Sequence, residues 1–338
     1  MRFFMSGTPR NDQYQDFEDT LCTCRLFSLH GSYERAVLRW LDRVVKDPER
    51  KYPKIMLLDS GAFTAWNAGQ ETHLEEVIES YSKFEEMAGD LFDEIWMINL
   101  DKIPGERGRD PTPQELDEAI KISDENYKVL VDKFGSRILP VYHQGESDER
   151  LFEVAETSDY ICVSPRNDLP EFRRKLWSQE RHMLLNERYE FQGKKTHGLA
   201  TTGNSMIHDV PWYSIDSAAW IRHAGYGKVD MFWPHAHEEG TSRYRNYFVS
   251  YEGGKQRLDG QHIDTLRPAD RQTVLDMIES YGFSLEEVQS NSRLRSLICM
   301  GELDKYSRWA WESQQRRNAL PKGDPRALTT QQTLFGEV

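Results

Sequence analysis

Two aspartates in this sequence stand where short β-like runs end, and together they could supply acid/base and nucleophilic chemistry. Asp59 follows the apolar run 55–58 and opens an Asp-Ser-Gly turn, and Asp216 follows the run 213–215. In parallel barrels and doubly wound sheets, the reacting groups lie at the carboxyl ends of strands. Two carboxylates brought together there can share the work of nucleophile and general acid/base. In the alternative interpretation each aspartate caps a helix or a turn.

The elements that must position these residues alternate along the middle of the chain. β-like runs cover 24–29, 55–58, 95–100, 138–142, 160–163, 197–201, 213–215 and 229–232. Helical spacing follows Thr72, the Thr112-Pro113 start signal and Pro170. This alternation predicts a parallel sheet covered by helices. The count of about eight strands predicts a (β/α)8 TIM-type barrel of the α/β class, with 3–6 as an alternative first strand.

The alternation fades after Pro234, so we expect the catalytic barrel to occupy residues 1–240. The segment 240–261 is polar and rich in Gly, Arg and Tyr, which indicates a long loop or hairpin. Helical periodicity returns after Pro268 and again over 294–311. Residues 241–320 are therefore predicted to form a polar loop and a helical C-terminal cap, followed by a flexible tail over 321–338.

Composition indicates a protein of the reducing cytoplasm. The 338 residues include only four cysteines, no apolar run approaches the roughly 20 residues of a membrane span, and the N-terminus is too short for a signal peptide. The net charge of −13 argues against broad, nonspecific nucleic-acid binding. A local basic face remains a candidate, with a solvated helix surface as the alternative. Its residues are Arg166, Arg173, Arg174, Lys175, Arg181 and Arg188.

Several cofactor motifs are missing from the sequence. It contains no Gly-x-Gly-x-x-Gly, no Gly-x-x-x-x-Gly-Lys-Ser/Thr and no Gly-x-Ser-x-Gly. Cys22-x-Cys24 and His235-x-His237 have no partner at the spacing of a zinc site. We therefore expect neither a cofactor nor a metal.

Five short pieces at the predicted strand ends, taken in chain order, resemble the tRNA-guanine transglycosylase superfamily. They are Leu58-Asp59-Ser60-Gly61-Ala62-Phe63, Asn99-Leu100-Asp101, Val141-Tyr142-His143-Gln144-Gly145, His197-Gly198-Leu199-Ala200-Thr201 and Tyr213-Ser214-Ile215-Asp216-Ser217-Ala218-Ala219-Trp220. The resemblance spans residues 54 to 234. It is closer to the DNA-directed branch, the DpdA-type DNA-guanine transglycosylases of phages and bacterial genomic islands.

The resemblance implies a β/α barrel that exchanges guanine for a 7-deazaguanine base. Asp216 matches the nucleophile, Asp59 the general acid/base, and Asp101 the carboxylate that reads the Watson–Crick edge of the purine. The residues implied to line the pocket are Ser60, Gly61, Phe63, Gln144, Gly145, Gly198 and Leu199. Of the aromatic residues nearby, Phe63 is favoured as a pocket residue and Trp220 as ordinary packing.

The chain departs from the family pattern at two places. No cysteine occurs between Asp216 and Cys299, so the zinc site of the tRNA enzymes is missing, and Ala62 stands where the family usually has a second glycine. Loss of the zinc site favours the DNA-directed branch. A phage-encoded member would act in the cytoplasm of its host.

The implied partners are DNA and a free 7-deazaguanine base, and the target guanine must be flipped out or single-stranded to reach a pocket. Residues expected to contact phosphates are Arg166, Arg173, Arg174, Lys175, Arg243 and Arg245. Three alternatives stay open: a tRNA-directed guanine transglycosylase, a non-catalytic barrel that binds a deazaguanine or a partner, and a barrel lyase or glycosidase acting on a small sugar. The need for helper proteins that open the DNA also stays open.

Overall fold

A computed structural model describes residues 1–106, 108–189, 193–201, 203–234, 243–251 and 260–318. The strands are β1 Arg2–Ser6, β2 Cys24–Ser28, β3 Ile55–Asp59, β4 Glu94–Ile98, β5 Ile138–Leu139, β6 Val141–His143, β7 Tyr160–Ser164, β8 Lys195–Gly198, β9 Ser214–Ser217, β10 Lys228–Phe232 and β11 Tyr244–Phe248. The helices are α1 Gln15–Thr20, α2 Ser32–Lys46, α3 Ala62–Asn67, α4 Leu74–Ala88, α5 Pro113–Phe134, α6 Asp148–Thr157, α7 Glu171–Tyr189, α8 Asn204–Asp209, α9 Ala219–Gly225, α10 Pro268–Ser280, α11 Leu285–Ser290 and α12 Ser292–Asn318.

Nine parallel strand segments form one sheet in the order β5-β4-β3-β2-β1-β9-β8-β7-β6. Its two outermost segments, β5 and β6, are separated in sequence only by Pro140. On one side of this strand the Asn99 N–H donates to the Leu139 carbonyl at 3.0 Å, and on the other the Cys162 N–H donates to the Pro140 carbonyl at 2.8 Å. The two segments therefore act as one strand that joins both edges of the sheet. The predicted eight-stranded β/α barrel is confirmed.

The prediction of which runs supply the barrel strands was wrong at one position. The run 229–232 was counted as a barrel strand, but β10 pairs antiparallel with β11 in a separate two-stranded sheet. The alternative first strand 3–6 is the correct one, because β1 lies between β2 and β9. Both runs are short and apolar, and such a pattern does not reveal which sheet a strand joins.

Helices form where the sequence places start signals. The Thr112 hydroxyl accepts a hydrogen bond from the Glu115 N–H, the Glu115 carboxylate accepts one from the Thr112 N–H, and Pro113 occupies the first turn of α5. Helices α4, α7, α10 and α12 likewise confirm the predicted helical periodicities. The predicted tail 321–338 lies outside the described residues. Among the described helices, none combines the length and apolar character that a membrane crossing requires.

Side chains of the barrel strands alternate between an inner and an outer core. The inner core is filled by large apolar groups, including Phe4, Leu26, Leu57, Ile98 and Val141. The outer faces pack against the surrounding helices in two clusters. This alternation is what aims Asp59, in phase with Leu57, and Asp216, in register with Phe4, toward the barrel axis.

Helix α12 closes the outer layer beside β1 and belongs to the predicted helical C-terminal extension. Its residues Met300, Leu303 and Tyr306 join the apolar cluster that contains Phe3 and Met5. A buried ionic network adds a polar attachment, because Glu18 pairs with Arg25 at 2.7 Å and with Arg293 of α12. The C-terminal helix is thus held to the strand that begins the barrel.

Candidate active site

Three carboxylates converge at the carboxyl end of the barrel. Asp59 is the last residue of β3, Asp216 lies in β9, and Asp101 follows β4. The negative charges of all three affect the buried thiol of Cys162 in the inner core. Burial first, and then the negative charges of Asp101, Asp216 and Asp59, raise its pKa well above the ordinary value. The barrel therefore places Asp59 and Asp216 in one site, as the sequence predicts.

The surroundings of Asp59 favour its protonated form. Burial is the largest cause and the charge of Asp216 the next, and together they raise the pKa of Asp59 from 3.8 to about 6. A hydrogen bond from the Gly61 N–H opposes part of this rise. Near neutral pH the group can therefore both hold and release a proton.

Gly61 gives the chain the sharp turn that follows Asp59. Its φ of +82° lies in the left-handed region. A Cβ at this position would lie 2.3 Å from the Cβ of His30, so an L side chain fits neither the conformation nor the space. The turn leads directly into α3, and a cleft of about 260 Å³ between α2 and α4 reaches Asp59 beside His30 and Ser60.

Asp216 is held by the turn that follows β8. The Ala200 N–H donates to its Oδ1 at 2.7 Å, and the Nε2 of His197 lies 3.4 Å from the same oxygen. Ala200 has a φ of +49°, an uncommon conformation for a residue with a side chain. Such strained residues cluster at functional sites, where the surrounding structure enforces them. Asp216 keeps 8% of its surface exposed, so it can still be reached.

Asp101 is paired with His143, to which the family resemblance assigns no role. The Nε2 of His143 lies 2.8 Å from Oδ2 of Asp101, and both side chains are 7% exposed. Burial alone would lower the pKa of His143, but the hydrogen bond and the charge of Asp101 outweigh it and raise that pKa. Burial also raises the pKa of the neighbouring Glu146. His143 was detectable, because strand alternation places it on the same face as Val141.

The other predicted pocket residues lie around the carboxyl end of the barrel and make different contacts. The Gln144 side-chain carbonyl accepts from the Arg166 N–H at 2.9 Å, which fixes its amide beside the exposed Gly145. Leu199 packs on the inner core. At Gly198 a Cβ would lie 3.0 Å from the Trp212 ring, so glycine permits close packing there. The buried Ser60 hydroxyl donates to the Asn99 carbonyl at 3.2 Å, which is a structural contact.

The aromatic side chains divide as expected between the rim and the core. Phe63 is 44% exposed at the start of α3 and stacks with Trp66 at 6.1 Å between ring centroids. Trp220 is buried in the outer core, where its indole N–H donates to the Ser6 carbonyl at 2.9 Å. The structure therefore leaves Phe63 available to a ligand and gives Trp220 a packing role.

Each of the six basic residues predicted to contact phosphates makes a contact within the protein. Arg166 pairs with Asp110 and with Asp168, the latter at 2.7 Å, and Lys175 lies 2.9 Å from Asp209. The remaining contacts join Arg174 to Asn167 at 3.2 Å, Arg243 to the Pro234 carbonyl and the Trp309 ring, Arg245 to the Trp233 ring at 6.0 Å, and the exposed Arg173 to the Phe172 ring at 6.0 Å. A phosphate would have to compete with carboxylates for Arg166 and Lys175.

Within the described ranges, no group of histidine, cysteine and acidic side chains has the geometry to hold a metal ion. Cys22 and Cys24 are buried free thiols, and burial raises the pKa of both. The predicted pair His235 and His237 lies outside the described residues.

Comparison with known proteins adds no assignment. No protein-family model matches the chain, and a search of curated proteins also finds no match. The fold and site define a β/α barrel whose carboxyl end carries three converging carboxylates, one of them with a pKa near neutrality.

Proposed function

We propose that the protein is a guanine transglycosylase that replaces guanine in DNA with a 7-deazaguanine base. The observation that carries the proposal is the position of Asp59 and Asp216 at the carboxyl end of one barrel, where burial and the charge of Asp216 raise the pKa of Asp59 to about 6. One carboxyl that holds a proton and one that accepts a backbone hydrogen bond are suited to the two roles of a retaining exchange.

In the first step a carboxylate oxygen of Asp216 attacks C1′ of the deoxyribose. The new C1′–O bond forms as the C1′–N9 bond to guanine breaks, and the proton of Asp59 passes to the departing base. The sugar is then held as an ester of Asp216, and Asp59 is left ionised. Burial of Asp59 assists this step because it favours the protonated form at the start.

In the second step the incoming 7-deazaguanine occupies the place that guanine has left. Its N9 proton passes to Asp59, the C1′–N9 bond forms and the ester bond to Asp216 breaks. Two displacements at C1′ restore the original configuration, and Asp59 regains the proton that it gave. Protons and electrons balance over the cycle, so the exchange consumes no oxidant, reductant or cofactor.

Base recognition is assigned to Asp101 and the groups beside it. A carboxylate can accept two parallel hydrogen bonds from the N1–H and N2–H of guanine, an edge that 7-deazaguanine shares. The hydrogen bond from His143 to Oδ2 fixes the carboxylate in one orientation. The exposed ring of Phe63 offers a stacking surface at the same end of the barrel.

DNA is favoured over tRNA because the chain has no cysteine between Asp216 and Cys299, where the tRNA enzymes that it resembles bind zinc. A target guanine inside a duplex has to leave the stack to reach the carboxylates at the barrel axis. Single-stranded DNA should therefore be the better substrate in the absence of other proteins.

A base-exchange assay tests the proposal. Purified protein is incubated with single-stranded DNA, duplex DNA or tRNA and with 7-cyano- or 7-aminomethyl-7-deazaguanine, and the digested nucleosides are read by mass spectrometry. Asp216→Asn and Asp59→Asn should abolish incorporation. Asp159→Asn is the matched control, because Asp159 precedes β7 at the opposite end of the barrel and its side chain is 91% exposed.

Each result has a defined meaning. Incorporation into DNA that both active-site variants lose and the control retains would support the proposal. Incorporation into tRNA alone would assign the protein to RNA modification. Absence of incorporation into either polymer by folded wild-type protein would refute it.

A further inference from the structure

A chain of buried polar groups leads from the barrel wall to Asp216. The Tyr160 hydroxyl lies 2.5 Å from Oγ of Ser214, which lies 2.7 Å from Nδ1 of His197. The Nε2 of His197 then lies 3.4 Å from Oδ1 of Asp216. The chain crosses the neighbouring strands β7, β8 and β9 inside the barrel, and His197 and Ser214 are direct register partners.

His197 is fully buried, and its Nε2 has no hydrogen-bond partner within ordinary distance among the described residues. Leaving a buried ring nitrogen unpaired is costly unless the structure uses it. Phe4 packs edge-on against the ring at 5.7 Å, so the imidazole is confined between that ring and Asp216. Its unsatisfied atom therefore faces the carboxylate at a distance that a small movement would close.

The positions of the hydrogens shared by Tyr160, Ser214 and His197 follow from which atoms can donate and which can only accept. An ionised carboxylate only accepts hydrogen bonds, so the His197 nitrogen that faces it must carry the hydrogen. With a single ring hydrogen, on Nε2, Nδ1 accepts from the Ser214 hydroxyl, and the Ser214 oxygen in turn accepts from the Tyr160 hydroxyl. Each group donates once, in a single direction that ends at Asp216.

The two carboxylate oxygens of Asp216 therefore have different hydrogen-bonding environments. Oδ1 receives the Ala200 N–H and faces the His197 N–H, whereas no hydrogen bond to Oδ2 is present in the described part of the chain. We propose that His197, oriented by Ser214 and Tyr160, is the positioning residue of Asp216: it holds Oδ1 so that Oδ2 attacks C1′. The inference rests on the proposed function, to which it adds the atom that reacts.

The same arrangement assists the second displacement. When Oδ2 is bonded to the sugar, Oδ1 is the ester carbonyl oxygen, and its two donors lie where negative charge returns as the C1′–O bond breaks. The donors thus stabilise the carboxylate as a leaving group. His197 acts through Asp216 and need not touch the base or the sugar.

Variants of Ser214 and Tyr160 test the hydrogen-bonded chain kinetically and leave His197 in place. Ser214→Ala breaks the link to Nδ1, and Tyr160→Phe removes one hydroxyl but keeps the ring contacts with Trp96 and Tyr213. We expect Ser214→Ala to lower kcat by about 10- to 100-fold with KM for DNA nearly unchanged, and Tyr160→Phe to do so to a smaller extent.

Thr196→Val is the matched control. Thr196 adjoins His197 on β8, and its hydroxyl lies 2.9 Å from a different buried histidine, His182, outside the inner core. This variant loses the same kind of bond with a comparable effect on stability, but it should keep wild-type kcat. Equal losses of kcat in Ser214→Ala and Thr196→Val would overturn the positioning role.

Nitrogen-15 NMR of histidine-labelled protein supplies a readout that does not depend on turnover. We expect the hydrogen of His197 on Nε2 in the wild type, and a changed Nε2 shift in Asp216→Asn. A hydrogen on Nδ1 with a bare Nε2 would overturn the inference even in an active enzyme. Wild-type protein that exchanges no base would instead refute the proposed function, and with it the catalytic role of the hydrogen-bonded groups Tyr160, Ser214 and His197.

Discussion

Asp59→Asn should make the protein more stable at neutral and alkaline pH while it abolishes activity. In the folded protein the pKa of Asp59 is about 6, above the ordinary 3.8. Ionisation is thus harder in the folded than in the unfolded state. Asp59 contributes most to the free energy of unfolding below about pH 4, where it is protonated in both states. That contribution is lost as the pH rises through 6.

The size of the effect follows from these two values. The raised pKa of Asp59 destabilises the wild type by about 3 kcal/mol at pH 8 and by about 1.5 kcal/mol at pH 5, because each pKa unit corresponds to about 1.4 kcal/mol. Solvent that reaches the partly exposed carboxylate reduces both figures. Asparagine cannot ionise, so the stability difference between variant and wild type should grow by about 1.5 kcal/mol from pH 5 to pH 8.

Urea denaturation at the two pH values measures this difference, provided that the m-values of the two proteins agree. Changes in packing or hydrogen bonding caused by asparagine cancel, because they are the same at both pH values. Asp159→Asn, in an exposed ion pair with Lys194, should show no such growth. A stability difference for Asp59→Asn that does not change with pH would refute the conclusion that the fold keeps this carboxyl in an environment that opposes its charge.

Two further predictions concern the turn after β3 and the base-reading carboxylate. Gly61→Ala should lower the free energy of unfolding by about 3 kcal/mol, because of both its left-handed φ and its contact with His30; Gly69→Ala, with a φ of +64° and open space around it, should cost only about 1 kcal/mol. Equal urea midpoints for the two variants would contradict this. Asp101→Asn should lower the pKa of His143, because the charge that raises it is lost; an NMR titration of the ring protons that finds the pKa unchanged would show that the pair does not form.

Much of the fold could be predicted because its signals are local. The capping box of α5 needs only residues 112–115, and the glycine turn after Asp59 needs only the next two residues. The wrong strand, 229–232, shows the limit of such signals. Its apolar residues are buried as in a barrel strand, but they are covered by the C-terminal helices.

The candidate site was predicted in part for the same reason. Asp59, Asp101 and Asp216 stand at strand ends, which sequence periodicity can locate. The pairing of Asp101 with His143 and the approach of His197 to Asp216 could not be predicted, since each joins residues of different strands. Strand alternation could have drawn attention to both histidines, but not to their partners.

Local sequence signals were sufficient to locate the strand ends, the helix starts and the apolar faces, because propensity and periodicity act over a few neighbouring residues. The joining of β5 and β6 across Pro140, which closes the barrel, is a property of the three-dimensional fold. Closure places residues 59 and 216 around one axis, where burial and mutual repulsion change the acidity of Asp59. Those effects depend on distance in space and on exclusion of water, and neither is set by position along the chain.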